Sequence, residues 1–326
     1  MENKIIEMMK NAKRPYELNG KKGETALILA DTNTEAPVWQ AFAAAANQTG
    51  IEPVVVIIKP RPSHFYNPPD IVIEAMKKAD IIHYLTSTGM IHSPCGEMMS
   101  RMKKKQFMSE HMDVNMLTKG GVEADVDDLV MWTRKMAKAW TEGKKVRITT
   151  DIGTDFTADI TGRVGIVDAH IIEDRPGAEL YGAAFPGGES PVAPIEDSSE
   201  GTIVIDTTIQ HPGRVTTPVK WTIEKGRIVK IEGGLEAKMF GDWLKTYGDE
   251  NTYVISEIAM GTNRWARVTG TMREDRKIWG YCHVGFGMNI DVGGKLNSKI
   301  HGDGVLSKPT LYIDDKLVVK SGNIQL

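Results

Sequence analysis

A chain of 326 residues, 25% charged and 41% hydrophobic, has the balance of a soluble globular protein and the length of two ordinary domains. Its formal net charge of -3 gives no general attraction to nucleic acid or to an anionic membrane, and no run approaches the roughly 18 to 20 apolar residues of a membrane span. Two cysteines, Cys95 and Cys282, without CxxC spacing argue against a disulfide framework and suit a reducing compartment. The start, Met1 to Glu7, lacks the basic segment and apolar core of a signal peptide, so a cytoplasmic protein is expected.

In chain order, Thr25 to Ala30 reads as a buried strand, followed by a helix over Val38 to Gln48. Pro53 to Ile58 and Asp80 to Leu85 are two further strands, with helices predicted over Pro69 to Lys78 and Gly96 to Lys105. Continuous β-branched runs separated by helices indicate a doubly wound α/β domain whose parallel sheet is covered on both faces. The loop after the first strand, Asp31 to Pro37, has neither GxGxxG nor GxxxxGK[ST], so the usual nucleotide cradles are missing. This domain therefore reads as a scaffold or substrate wall, closed by a long helix over Ala124 to Glu142.

The texture changes at Lys145, which sets expected domains of 1–145 and 146–326. Strand-like runs cover Val146 to Thr150, Phe156 to Ile160, Thr202 to Asp206, Val219 to Ile223 and Ile228 to Ile231. Glu224-Lys225-Gly226-Arg227 suits a hairpin between the last two, and one helix is predicted over Leu235 to Tyr247. The second domain is thus a mixed, β-rich α+β unit.

The chemistry-bearing residues lie in this second part. His301-Gly302-Asp303 puts an imidazole and a carboxylate two residues apart, which in an extended segment turns both to one face. His283 lies upstream, Glu257 ends the apolar run Tyr253 to Ser256, and Glu189 follows the turn Phe185-Pro186-Gly187-Gly188. Imidazole plus carboxylate is the usual ligand set of a catalytic divalent ion, and these five groups suffice for one or two. A carboxylate inside an apolar strand is costly unless paired, so Glu257 is either a ligand or a salt-bridge partner. Cys282 reads as a buried structural thiol. His92, after the third strand, is placed where α/β sheets expose their binding edge and is a candidate substrate contact. Arg264 and Arg267 are candidates for binding a substrate carboxylate.

The ordered set resembles a known group. Glu189 after a Pro-Gly turn, Glu257 in Ser256-Glu257-Ile258-Ala259-Met260-Gly261-Thr262-Asn263, His283 before Gly285-Phe286-Gly287, and Ser298-Lys299-Ile300-His301-Gly302-Asp303 resemble the thermophilic aminopeptidase T (leucyl aminopeptidase) family. That superfamily also contains 2,5-dihydroxypyridine 5,6-dioxygenase. In the aminopeptidase branch the resemblance implies that Glu189, Glu257, His283, His301 and Asp303 hold two divalent ions (zinc, cobalt or manganese) whose bridging water attacks a peptide carbonyl. In the dioxygenase branch it implies one Fe(II) in a two-His, one-carboxylate triad. That branch aligns with His at the position of Glu257 and with apolar residues at those of Glu189 and His283.

The ligand chemistry sides with the aminopeptidases, although the Tyr they carry seven residues after the His matched by His283 is Ile290 here. The leading expectation is a metal-dependent hydrolase acting on an amide or related carbonyl of a short peptide or other small molecule, with Glu257 as its catalytic carboxylate. The alternative is a mononuclear Fe(II) ring-cleaving dioxygenase; a third reading is a non-catalytic protein that binds metal or a small ligand. A homo-oligomer with no nucleic-acid or membrane partner is expected.

Overall fold

The computed structural model describes residues 2–174 and 180–326. The chain opens with α1 (Glu2–Asn19) and then alternates β1 (Thr25–Asp31), α2 (Ala36–Gln48), β2 (Glu52–Ile58), α3 (Asp70–Lys78), β3 (Ile81–Tyr84), α4 (Pro94–Arg101) and β4 (Lys105–Met108). Short α5 (Val114–Thr118) and long α6 (Val126–Glu142) follow, then β5 (Lys145–Thr149) and β6 (Asp155–Asp159), before β7 (Gly182–Ala184). Strands β2-β1-β3-β4-β7 form one parallel sheet in that order.

Apolar residues fill both faces of β1, because helices cover the sheet on both sides. Helix α2 buries Val38, Ala41, Phe42, Ala45 and Ala46, a stripe at the spacing of an amphipathic helix, and carries Pro37 in its first turn, where the missing N–H costs nothing. The helix expected over Gly96 to Lys105 is shorter. The Ser93 side chain caps it by accepting from Gly96 N–H, and it ends at Arg101. Lys103 then takes a left-handed φ of 56°, and Lys105 opens β4. With only four residues in that strand, no period shows in the sequence.

The remaining elements are β8 (Glu189–Val192), β9 (Glu200–Ile205), β10 (Thr208–Ile209), β11 (Gly213–Arg214), β12 (Val219–Glu224), β13 (Arg227–Glu232) and α7 (Leu235–Lys245). They continue with β14 (Ile255–Gly261), α8 (Met272–Asp275), β15 (Cys282–Gly287), β16 (His301–Leu306), β17 (Thr310–Ile313), β18 (Lys316–Lys320) and β19 (Asn323–Ile324). Two antiparallel sheets result, ordered β11-β10-β16-β15-β14-β8 and β13-β12-β9-β6-β5-β17-β18-β19. The β12–β13 hairpin turns on Lys225 and Gly226, both at positive φ. One apolar core joins the two sheets: Val192, Ile258, Val284, Phe286 and Leu306 from the first, and Ile148, Phe156, Ile203 and Trp221 from the second. No described helix is long and apolar enough to cross a membrane.

The chain divides into two compact units, but not at residue 145 as expected. One unit runs to Val126 and includes the segment of β7 that ends at Gly187; the other holds 127–167 and 188–326. The reason is packing. Met136 and Trp140 of α6 belong to the core of the antiparallel sheets, so that helix goes with them, whereas β7 completes the parallel sheet beside β4. The fold is therefore a parallel α/β unit interleaved in sequence with a β-rich α+β unit.

Candidate metal centre

The centre lies on one face of the six-stranded sheet. Along β15, Cys282, Val284 and Phe286 point to the core, so His283 and Gly285 point to the opposite face. On β14 the register against β15 slips between Ile255 and Glu257. This bulge brings Ile255 into the same core as Ile258 and Met260, although it is out of phase with them, and turns Glu257 to the face of His283. Glu257 then stands opposite Gly285, Gly285 opposite Asp303, Gly287 opposite His301, and Gly261 opposite Glu189. Four neighbouring strands each supply a polar side chain to one patch.

Glu257, His301 and Asp303 form a group whose candidate ligand atoms all lie within 4.8 Å of one another, the spacing at which one ion can be held. His301 Nε2 is 3.6 Å from both Glu257 Oε2 and Asp303 Oδ1. Its Nδ1 lies 2.7 Å from the Met288 carbonyl, which can only accept, so Nδ1 carries the proton of the neutral ring and Nε2 presents its lone pair toward the carboxylates. His283 Nε2 is 2.9 Å from Glu257 Oε1 and 3.7 Å from Glu189 Oε2. Arg276 donates to Asp303 Oδ2 at 2.8 Å and has Nε 3.4 Å from Glu189 Oε2, while Lys277 Nζ contacts Glu189 Oε1.

Burial and charge compete strongly here. Burial alone would lower the His301 pKa, but Asp303 and Glu257 overcome it and push it up to about 9. Burial likewise works against the charged form of His283, and the Glu257 hydrogen bond with the charges of Asp303 and Glu189 reverses the outcome, raising its pKa. Asp303 is held well below the usual carboxylate range: burial would raise it, but His301, His283 and Arg276 prevail. Burial opposes the Arg276 charge, and Glu189, Asp303 and Glu257 more than restore it.

Two features of the site fit a bound cation. A Cβ on Gly285 would come within 2.7 Å of Glu257 Cβ and 3.1 Å of Asp303 Oδ1, so only glycine leaves the space between the two carboxylates open. Asp303 Oδ1 is buried and makes no hydrogen bond among the described residues, an expensive state for a carboxylate oxygen unless a cation supplies its partner.

Arg264 and Arg267 are engaged away from the carboxylates of the centre. Arg264 lies 3.5 Å over the Trp279 ring, which packs edge-on to Trp132 at 5.1 Å, and its Nε is 3.3 Å from Asp128 Oδ2. Arg267 has Nε 3.7 Å from the buried Glu274 carboxylate, which also accepts its backbone N–H. His92 belongs to the parallel-sheet unit, in the turn before Ser93 caps α4. Cys282 is buried, with its thiol pKa pushed far up by burial. Arg276, Lys277 and Gly285 were missed in the sequence. A basic pair after a short helix looks like a solvated turn, and only the strand register shows what Gly285 separates.

The sequence profile of the 2,5-dihydroxypyridine 5,6-dioxygenase family matches residues 7–326. The chain belongs to that family. A curated 2,5-dihydroxypyridine 5,6-dioxygenase from Pseudomonas putida is 31% identical over 200 residues, 56% of this chain and 55% of the relative. The chain thus aligns with only about half of that relative's length. The solved structure of the 2,5-dihydroxypyridine dioxygenase of Pseudomonas putida superimposes with a TM-score of 0.80 at 21% identity, covering 98% of this chain and 96% of that one. Wild-type AmpT from Thermus thermophilus gives 0.73 at 13% identity, covering 98% and 99%. The two structures establish the shared fold, and the family profile with the curated relative bears out the resemblance to the dioxygenase family.

The expectation of an aminopeptidase-like metallohydrolase is corrected by these matches. The family profile spans nearly the whole chain, and the curated relative is a dioxygenase. The hydrolase expectation rested on Glu189, Glu257 and His283 as ligand types, and ligand types are a weak guide when cationic neighbours can occupy the same carboxylates. The dioxygenase family is a family of enzymes, and a divalent metal is consistent with it and with the Glu257, His301 and Asp303 group.

Proposed function

We propose that this chain is a mononuclear, iron(II)-dependent ring-cleaving dioxygenase whose substrate is a small hydroxylated pyridine-type ring. The observation that carries the reading is the convergence of Glu257, His301 and Asp303 within a chain matched over 7–326 by the 2,5-dihydroxypyridine 5,6-dioxygenase family. The donor set is one imidazole and two carboxylates, with glutamate where the resemblance had led us to expect a second histidine. It suits a divalent ion of intermediate hardness. When bound, iron(II) supplies the one-electron chemistry that dioxygen needs to react with a closed-shell ring.

The chain's own residues do the rest. The Met288 carbonyl fixes the His301 ring so that Nε2 faces the carboxylates. Arg276 holds Asp303 Oδ2, which leaves Oδ1 to face His301. His283 Nε2 lies 2.9 Å from Glu257 Oε1, so this buried pair can hold a proton and pass it between those two atoms. Exclusion of water follows from burial: Glu257, His283 and Asp303 are all buried.

The test is elemental analysis of protein purified without added metal, followed by anaerobic iron loading and an oxygen-electrode assay on a panel of dihydroxypyridines. The expected result is iron-dependent oxygen uptake matched by loss of the ring chromophore, both abolished in His301→Ala. Iron bound at the site with no oxygen uptake on any hydroxylated ring would overturn the reading.

A further inference from the structure

Five candidate ligands gather on this sheet face, yet they divide into two unlike halves. Glu257 Oε2, His301 Nε2 and Asp303 Oδ1 face one another, with the Arg276 guanidinium on the outer oxygen of Asp303, Oδ2. Glu189, His283 and Glu257 Oε1 form the other half, and there the chain supplies its own positive charge. Lys277 Nζ contacts Glu189 Oε1, Arg276 Nε stands 3.4 Å from Glu189 Oε2, and His283 Nε2 lies at hydrogen-bond distance from Glu257 Oε1.

Lys277 is fully buried, which is costly for an ammonium group unless a carboxylate compensates it. Its backbone is fixed on both sides: its N–H donates to the Glu274 carbonyl at 2.9 Å, and its carbonyl accepts from Asn263 N–H at 2.9 Å. The ammonium is therefore held where it meets Glu189. A second divalent ion bound by Glu189 and His283 would have to displace this ammonium and face the Arg276 guanidinium as well, at a strong electrostatic cost in a buried site.

We propose that Lys277, supported by Arg276, is an internal counter-cation that stands in for a second metal and limits this centre to one ion. The inference rests on the reading of Glu257, His301 and Asp303 as the ligand triad. Lys277 is a positioning residue: it holds Glu189 away from metal binding and touches neither the ion nor the substrate.

The experiment strips the protein with a chelator and titrates it anaerobically with Fe(II) and separately with Mn(II), reading stoichiometry by elemental analysis and by calorimetry. The native chain is expected to take one ion. Lys277→Met frees Glu189 Oε1 of its ammonium partner, leaving Arg276 at Oε2, and is expected to take two, with a second, metal-dependent rise in melting temperature. Glu189→Gln/Lys277→Met removes both charges and is expected to return to one ion with unchanged affinity for it. Two ions in the native chain, or one ion in folded Lys277→Met, would overturn the proposal. So would loss of the single ion in the double variant, which would make the pair a support of the first ion and decides the matter even if Lys277→Met does not fold. His301→Ala tests the triad itself: an ion retained there refutes the ligand assignment, whatever Lys277 does.

Discussion

His83 in the parallel-sheet unit and His301 in the β-rich unit are both withdrawn from water, and their protons respond in opposite ways. His83 lies between the Tyr16 hydroxyl at 3.0 Å and the Ser109 hydroxyl at 2.9 Å, walled by Phe42 and Phe107. Burial among neutral groups lowers its pKa to about 3. His301 meets the same kind of burial, but Asp303 and Glu257 stand beside it and push it up to about 9. The lesson is that burial alone makes a histidine structural, whereas burial beside carboxylates makes a place for a proton or a metal ion. Apart from their neighbours the two residues look alike.

The largest effect should come from the charged pocket. Asp303→Asn keeps the shape but weakens an anionic ligand, and should lower metal affinity more than about a hundredfold, since even outer partners of metal ligands cost 10- to 100-fold. Calorimetric titration checks this, and native affinity in the variant would return the β-rich pocket to the structural class of His83. Next is the pH response of the two histidines. His83 has a folded pKa below its unfolded value of about 6.5, so its unfolded form takes up a proton first; stability should fall by up to a few kcal/mol as pH drops from about 6.5 toward 3. In His83→Leu that acid limb of an unfolding profile should flatten.

For His301 the sign reverses. Its folded pKa is raised, so in metal-free protein its contribution is full below about 6.5 and is lost as pH rises through about 9. Chelator-treated protein should therefore melt lower at pH 10 than at pH 7 by this route, and a bound ion, which replaces the proton, should remove the difference. An alkaline limb that persists with the ion bound would break the comparison.

Two smaller effects sharpen it. Gly285→Ala places a methyl group between Glu257 and Asp303 and should destabilise the fold by about 1–3 kcal/mol while weakening ion binding. Thermal melts with and without metal separate the two losses. Arg264→Ala removes a ring contact and an exposed ion pair, and should cost about 1 kcal/mol or less of stability. Because Arg264 is occupied by Trp279 and Asp128, turnover should stay near native; a large rise in KM would restore it as a substrate contact.

Much of this was legible in the residues. The β-branched runs at Thr25 to Ala30 and Pro53 to Ile58 gave strands within a residue of where they lie; β1 is buried on both faces and needs a continuous apolar run, whereas β2 carries the same kind of run at the sheet edge, partly exposed. The five polar residues on the sheet face stood out by type and spacing. Their division of labour did not, since Lys277 and Arg276 look like ordinary surface cations until α8 and the following turn carry them inward. The domain boundary was misplaced because no local pattern says which sheet α6 packs against.

What the sequence alone determined is the local alternation of polar and apolar residues: it set the strand faces, put His301 and Asp303 on one side of β16, and carried the resemblance to the superfamily. What only the tertiary structure decided is which charges share a buried space. The β14 bulge at Ser256 turns Glu257 toward His301, Gly285 opens the gap between two carboxylates, and Lys277 and Arg276 neutralise Glu189. The physical reason is range. Periodicity acts between neighbours in the chain, whereas the electrostatics of a buried site depends on groups up to about a hundred residues apart brought within a few ångströms.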